Sequence, residues 1–422
     1  QVKFYDFILN TLKVYEYSSI KEWKIISNNS YYSNFKIIYL SNMKILHFSD
    51  SHLGYHELDK LSPSGINLRE QDAYDSFQKV IDIAIELQPD LVIHSGDFFH
   101  RPSPANRPMI FGLEQLSRLS KANIPIVVIA GNHETPKTIF TSPILKAFQT
   151  IPNVFPIFSQ KYETFEFGEL VVHGVPHIND DILELEEMDK IQPVEGKFNI
   201  ILLHTSIGKT FMMDEYGEKL YPPERLDLLN KFDYVALGHW HNFQKVEKLD
   251  TAWYSGSTER MSEAEAKSEK GFCLLELEKG KKVLPEFVAI PTRNWVVEEI
   301  KNCNNKSITE IETQLQKLTQ REDLKDALLS IHLVDLEPIQ SVELSKRKIY
   351  AMISGPAHIS IHRKFIVTET EKAGFQSKSE SLVSLMKSFI SDKIDDEKKA
   401  SELSKKAHYY FEIFDNGEHK NR

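Results

Sequence analysis

The chain has 422 residues, enough for two or three domains at roughly 150 residues each, and its 41% hydrophobic and 27% charged content is an ordinary soluble globular composition. Its longest apolar runs, such as IPIVVIAG at 124–131, fall far short of the roughly 18 residues a membrane helix needs, and no secretory h-region with a small-residue cleavage site is visible. Two cysteines, Cys273 and Cys303, exclude any disulfide framework beyond one bridge and point to a reducing, intracellular compartment, while a formal charge of −10 argues against strong autonomous binding of a polyanion. Local basic patches and divalent cations can still do that work.

Residues 1–42 look foreign to the rest: they are rich in Asn, Tyr, Ile, Lys and Ser and contain no Gly or Pro. They are expected to be an N-terminal extension, either an artefactual lengthening of the reading frame or a genuine arm with some helix around residues 4–15. Met43 then opens MKILHFSD, which reads as a natural start and a buried strand. Next comes REQDAYDSFQKVIDIAIELQ, with Ala73, Phe77, Val80, Ile81 and Ala84 on one helical face. The strand DLVIHS, a helix over RPMIFGLEQLSRLSK and the strand IPIVVIA complete a βαβαβ rhythm, predicting an α/β domain with a layered sheet. Later strands, ELVVHGV, NIILLHT, YVALGH, TAWYSGS and FCLLELE, are short and close together, which predicts a second, mixed or antiparallel sheet stacked on the first. The expected domain runs over 43–284.

From 285 to 368 the pattern becomes that of a small α+β domain. VVEEI, LLSIHLVDL and HISIHRKFIV are its strands, and Ile308, Ile311, Leu315 and Leu318 share a helical face. The tail is highly charged. Leu382, Leu385, Met386, Phe389 and Ile390 mark one amphipathic helix, and Ala400, Leu403, Ala407, Tyr410 and Phe414 a second, giving C-terminal helices over 376–414. Such helices usually pack on their own domain.

Five short segments carry the chemistry: DSHLG, GDFFH, GNHE, LLHT and GHWH. They supply Asp50, His52, Asp97, Asn132, His204, His239 and His241, each where an apolar run ends. Asp50 and His52, and likewise His239 and His241, are two apart at a strand end, so both members of a pair can point the same way. Carboxylate oxygen with imidazole nitrogen suits Mn²⁺, Fe²⁺ or Zn²⁺ better than Ca²⁺. Asp97 follows Gly96 and can bridge two cations, and Asn132 adds a neutral oxygen. Hydrolysing a phosphoester needs a nucleophile at neutral pH and charge neutralisation, which two cations about 3.5–4 Å apart supply. His133 adjoins a ligand and would face the substrate, making it the candidate general acid or phosphate stabiliser, with His100 positioning it or the phosphate. Taken singly, any of these histidines reads more simply as a core or surface residue; the five segments in order do not. His47, His94, His173 and His177 read as structural or supporting histidines, and ERMSEAEAKSEK (259–270) as a solvated loop or helix with no assigned role.

The segments resemble the calcineurin-like metallophosphoesterase superfamily and, within it, the SbcD-like or meiotic recombination eleven family of DNA double-strand-break repair nuclease subunits. GDFFHRPSP, HGVPH, YSGSTER and KGFCLLELE support the likeness over about 43–300. The resemblance implies a layered α/β/β/α metallophosphoesterase sandwich with a smaller α+β capping domain and C-terminal helices. It implies that Asp50, His52, Asp97 and His241 hold one cation, Mn²⁺ preferred, and Asp97, Asn132, His204 and His239 the other. It implies that His133 assists leaving-group departure with His100 in support. It also implies a homodimer through helices at about 72–86 and 107–120, and docking of an SMC-like coiled-coil ATPase on the C-terminal helices.

The expected function is Mn²⁺-dependent exo- and endonucleolytic cleavage of DNA in double-strand-break repair, in the cytoplasm at the nucleoid, or in a nucleus. Arg101, Arg107, Lys137 and Lys209 can meet the DNA backbone, although each alone reads as a solvated residue. The alternative is a phosphomonoesterase or nucleotide phosphodiesterase with the same chemistry. Protein phosphatases of the superfamily favour GDxVDRG, where this chain has His100 in place of the second Asp. A metal-holding scaffold without activity is the third class, and the complete ligand set argues against it.

Overall fold

The computed structural model describes residues 42–138, 140–213 and 218–366 and the isolated positions 390, 399, 403, 404 and 406. The expected extension at 1–42, save residue 42, lies outside the described residues, as do the C-terminal helices at 376–414, save those five positions. The chain divides into two compact units, one within 1–298, 318–330 and 353–360 and the other within 299–317, 331–352 and 361–422.

The first unit opens with β1 (Met43–Phe48), α1 (Leu68–Leu87), β2 (Leu91–His94), α2 (Asn106–Lys121) and β3 (Ile126–Ile129), the expected βαβαβ alternation. β2 and β3 read LVIH and IVVI with every residue buried, the run expected of parallel strands covered on both faces. Asn67 caps α1 by accepting from the N–H groups of Arg69 and Glu70, and Gln88 ends the helix in a left-handed conformation. Its predicted face is the buried one: Ala73, Phe77, Val80, Ile81 and Ala84 are all inaccessible to solvent.

Next come β4 (Val154–Ile157), β5 (Glu163–Phe167), β6 (Leu170–Val175), α3 (Asp181–Met188), β7 (Phe198–His204), α4 (Leu226–Leu229) and β8 (Tyr234–Gly238). β9 (Gln244–Lys245), β10 (Ala252–Tyr254), β11 (Gly271–Leu277) and β12 (Glu286–Ala289) complete the unit's sheets. One six-stranded sheet has the order β12-β11-β1-β2-β3-β4, and the other β5-β6-β7-β8-β10-β9. In the second, β6, β7, β8 and β10 are parallel while β5 and β9 pair antiparallel at its edges, so it is mixed.

FCLLELE departs from expectation. It is β11 and lies in the first sheet, antiparallel to β1, with His47 opposite Cys273. Its apolar pattern cannot tell the sheets apart, because both turn a face to the same core. β12 then pairs with β11, Cys273 opposite Phe287, so the first unit runs past the expected boundary at 284. β4 escaped a sequence reading because Pro156 interrupts it; proline is tolerated there because β4 is an edge strand.

Between the sheets, Ile45, Ile93, Val127, Ile129 and Leu275 meet Val172, Ile200, Leu202, Tyr234 and Ala236. Outside the first sheet, Phe77, Val80 and Leu116 of α1 and α2 pack on Leu46, Phe48 and Val92. Outside the second, Met188, Leu229 and Phe232 cover Ile201, Leu203 and Val235. This is the α/β/β/α layering.

Strands β13 (Trp295–Ile300), β14 (Leu328–Leu336) and β15 (His358–Phe365) pair in that order. The second unit holds most of α5 (Ile308–Leu318), with α6 (Pro338–Glu343) and α7 (Lys346–Met352). There Ile311 and Leu315 are buried, and Gln340 donates to the carbonyls of Cys303 and Lys306 at 2.8 and 2.9 Å. No helix among the described residues is long and apolar enough to cross a membrane.

Candidate metal centre

Every expected ligand sits at the carboxyl end of a strand. Asp50 follows β1, Asp97 follows β2, Asn132 follows β3, His204 ends β7, and His239 and His241 follow β8. β1–β3 are mutually parallel, as are β7 and β8, so within each sheet these turns gather at one end. The local geometry differs from the expected strand alternation. Asp50, His52, Asp97 and His239 have φ of 51, 42, 55 and 95°, left-handed backbone that Asp and His adopt more readily than most residues but at a cost. Inter-loop bonds hold the turns: Asp50 N–H donates to Gly96 O, His52 N–H to Asp97 O and Leu53 N–H to Phe98 O, at 3.0, 3.0 and 2.9 Å. Gly96, with φ of 99°, lets His204 approach; a Cβ there would lie 2.3 Å from His204 Nδ1.

The turns bring all seven residues into one buried cluster. Ligand atoms of Asp50, His52 and His241 lie within 4.8 Å of one another, as do those of Asp50, Asp97 and His204. His52 Nε2 and His241 Nε2 are 3.2 Å apart. Asp97 Oδ2 stands 3.2 Å from His204 Nε2 and 3.7 Å from His52 Nε2, facing both groups as a bridging carboxylate would. Asn132 Oδ1 is 3.0 Å from His204 Nε2. His239 joins through its backbone N–H, which donates to both carboxylate oxygens of Asp50 at 3.0 and 3.1 Å.

Hydrogen bonding fixes which nitrogens face inward. A carbonyl or carboxylate oxygen only accepts, so a ring nitrogen bonded to one carries the proton. His204 Nδ1 lies 2.9 Å from Ser95 O, His239 Nε2 2.9 Å from Glu218 Oε1, and His241 Nδ1 3.1 Å from Glu265 Oε1. For His239 and His241 this leaves the other nitrogen with a lone pair, while His204 Nε2 faces the oxygens of Asn132 and Asp97 at 3.0 and 3.2 Å. Inward lone pairs beside two buried carboxylates form a donor set for divalent cations, not for a neutral ligand. Burial alone would lower the His204 pKa, yet Asp97 raises it to about 10, so the Asp97 carboxylate favours a proton on His204 that a metal ion would displace.

His133 lies at the edge of the cluster with its side chain 20% exposed. Its backbone N–H donates to Asp97 Oδ1 at 2.9 Å and its Nδ1 donates to the His100 carbonyl at 3.2 Å. The His100 and His133 rings stack with centroids 5.1 Å apart. Both line a cavity of about 180 Å³ with His52 and His241.

A family model of calcineurin-like phosphoesterases matches residues 43–243. The DNA double-strand break repair protein Mre11 of Sulfolobus acidocaldarius is 30% identical over 396 residues, covering 86% of this chain and 98% of that protein. The chain belongs to the Mre11 family. The Mre11 protein of Sulfurisphaera tokodaii is 36% identical over 217 residues, about half of either chain at 50% and 52%. Among solved structures, a dimetal phosphatase from Danio rerio matches 58% of this chain and 98% of its own at 10% identity and a TM-score of 0.36, too slight a likeness to bear on the chemistry.

Membership of the Mre11 and calcineurin-like families implies divalent metal ions, and the donor set fits them. In this Mre11-family chain the structure adds residues the motifs do not name. Glu134, fully buried, accepts from the N–H groups of Phe98 and Gly131, each at 3.1 Å, tying the Asp97 turn to the Asn132 turn. Burial and then the Asp97 charge push its carboxyl well above the usual range. Glu218 and Glu265 back the two histidines of GHWH. The run 259–270 is not the solvated segment its charge suggested: Glu259, Glu265 and Lys270 are 1, 5 and 1% exposed, because each charge meets a partner inside. The run carries seven charged residues between YSGS and GFCLL, and nothing in its pattern marks which three are buried.

His47, His94, His173 and His177 lie outside the groups of described side chains close enough to share a metal. His47 bonds Tyr234 and Ser95, His94 bonds Ser51, and His173 bonds Tyr162 and Asn199. Burial lowers His47, His94 and His177 to about 3, so they are neutral. Arg101, Arg107, Lys137 and Lys209 are all exposed.

Proposed function

We propose that this protein is a Mn²⁺-dependent DNA nuclease, with exonuclease and endonuclease activity, acting in double-strand-break repair. The observation that carries the reading is the buried convergence of two carboxylates, an amide and four imidazoles beside a partly exposed histidine held by one of those carboxylates. Asp50, His52, Asp97 and His241 would hold one cation, and Asp97, Asn132, His204 and His239 the other. The mixed carboxylate, amide and imidazole set admits Mn²⁺, Fe²⁺ or Zn²⁺, and the choice of Mn²⁺ rests on the family resemblance. When bound, the cation pair supplies a nucleophile at neutral pH and neutralises charge on the phosphate.

The chain's own groups do the rest. The Asp97 turn fixes the backbone of His133. The His100 carbonyl holds the Nδ1 proton of His133, which leaves Nε2 as the nitrogen that, in the protonated ring, carries the transferable proton. As the scissile P–O bond breaks, that proton passes to the departing oxygen. The names of the relatives support DNA as the substrate and a repair complex as the setting. An SMC-like ATPase would dock on the helices expected from the sequence at 376–414, and a second copy of the chain on α1 and α2. The work is intracellular.

End-labelled linear duplex DNA incubated with the protein and Mn²⁺, beside a His133→Ala variant, tests this. Mn²⁺-dependent degradation that the variant loses is the expected result. Intact DNA together with hydrolysis of a simple phosphomonoester would replace the reading with a phosphomonoesterase.

A further inference from the structure

Both histidines of the GHWH segment turn their outward nitrogen to a carboxylate from elsewhere in the chain, but the carboxylates are held differently. Glu218 accepts from the Ser206 hydroxyl and the Met213 N–H at 2.7 and 2.9 Å. Glu265 is paired with the Lys270 ammonium, and Lys270 is 1% exposed. The same ammonium donates to the backbone carbonyl of His241 at 2.8 Å and to Ser257 Oγ at 2.9 Å. One buried cation thus grips both the carboxylate that orients the His241 ring and the backbone that carries that ring.

Packing alone does not explain this. An ammonium taken out of water is costly even when paired, and an apolar side chain of similar size would fill the space without that penalty. The segment around it is rigidly built. Arg69 donates to the Arg260 carbonyl, and Arg260 donates to the carbonyls of Ser268 and Arg293 at 2.8 and 3.0 Å. Asp50, Asp97 and Glu218 already place three carboxylates at the cluster, and Lys270 cancels the charge of the one that Glu265 adds.

We propose that Glu265 and Lys270 form a positioning unit for His241. Glu265 fixes the ring so that the Nε2 lone pair faces Asp50 and His52, and Lys270 locks Glu265 and the His241 backbone in register while neutralising the carboxylate. The unit sets cation affinity at one of two positions. It rests on reading the cluster as a cation centre.

The test is Mn²⁺ titration of the purified full chain, with bound ion read by electron paramagnetic resonance and no turnover required. The wild type is expected to take two ions. Glu265→Gln weakens one of them by about 10- to 100-fold and leaves the other unchanged. In a His241→Ala background, adding Glu265→Gln changes affinity by less than about twofold, because the group it orients is gone. Lys270→Met weakens the same ion. Variants that melt at lower temperature but bind Mn²⁺ as the wild type does would overturn the proposal, as would an undiminished effect of Glu265→Gln in the His241→Ala background. If Lys270→Met does not fold, the Glu265 and His241 cycle decides alone. A wild type that takes no Mn²⁺ removes the cation reading itself, a result distinct from either of these.

Discussion

Asp97 divides its two oxygens between backbone and cluster: Oδ1 accepts the His133 N–H at 2.9 Å, while Oδ2 faces His204 and His52. The residue proposed to bridge the cations therefore also sets the position of His133, the proposed proton donor. His133 is further held by the carbonyl of His100, which accepts from its Nδ1, and by the stacked His100 ring. Replacing His133 with Ala should lower kcat on DNA by about 10²- to 10⁴-fold, the usual contribution of a general acid. His100→Ala keeps the carbonyl and should cost less. Single-turnover cleavage of the two variants at saturating Mn²⁺ checks the order; a larger loss for His100→Ala would mean that its ring touches the substrate directly.

Gly131 gives a second handle on the same turn. A Cβ there would lie 2.2 Å from Asp97 Oδ1 and 2.5 Å from Asp97 N, so the Asp97 and Asn132 turns would be forced apart. Gly131→Ala should destabilise the fold by about 1–3 kcal/mol, the range for overpacking. It should also shrink the rise in Tm that Mn²⁺ gives the wild type. Melting curves with and without Mn²⁺ separate the effects. An unchanged Mn²⁺ increment would show that the turns can part without disturbing the donor set.

The motifs exposed the donors because each lies where an apolar run stops, which places it at a strand end on the same side of the unit. The strand alternation inferred for Asp50 and His52 was not the true local structure; left-handed turns, stitched to residues 96–98, aim those side chains. Such turns leave no periodic trace. Sheet membership was equally hidden for β11, whose apolar residues pack in the same inter-sheet core as those of the second sheet. Glu265 and Lys270 were hidden for another reason. In a charged run, burial depends on partners distant in sequence, such as His241, and neither composition nor spacing reveals them.

Glu259 predicts a pH dependence of stability away from the cluster. It is 1% exposed, and burial raises its carboxyl from 4.5 to about 7 against the pull of Arg69. The folded state thus holds a proton that the unfolded state has released between those two pH values. Stability from this group therefore falls as pH rises through that window and is greatest below it. Glu259→Gln should remove the slope, so the wild type loses ground to the variant as pH rises from 4.5 to about 7. Urea melts of both proteins across that range measure it; a constant difference would mean that Arg69 keeps Glu259 ionised throughout. Arg69→Met should cost about 3 kcal/mol, the lower end for breaking a buried pair, because Asp72 keeps Arg293 at 2.9 Å.

The homodimer reading places a second copy on α1 and α2, and Ile110 tests it. Ile110 is 52% exposed on α2, beside a stack of Tyr74 on Phe111 with ring centroids 4.4 Å apart. Exposed in the single chain, it contributes little to folding, so Ile110→Glu should change stability by no more than about 0.5 kcal/mol. In a dimer that covers this face, the same change buries an unpaired carboxylate twice, once from each copy, and should leave a monomer. Light scattering after size-exclusion chromatography decides between the two. A dimer that persists in Ile110→Glu would move the interface off these helices while leaving the reading of the metal centre intact.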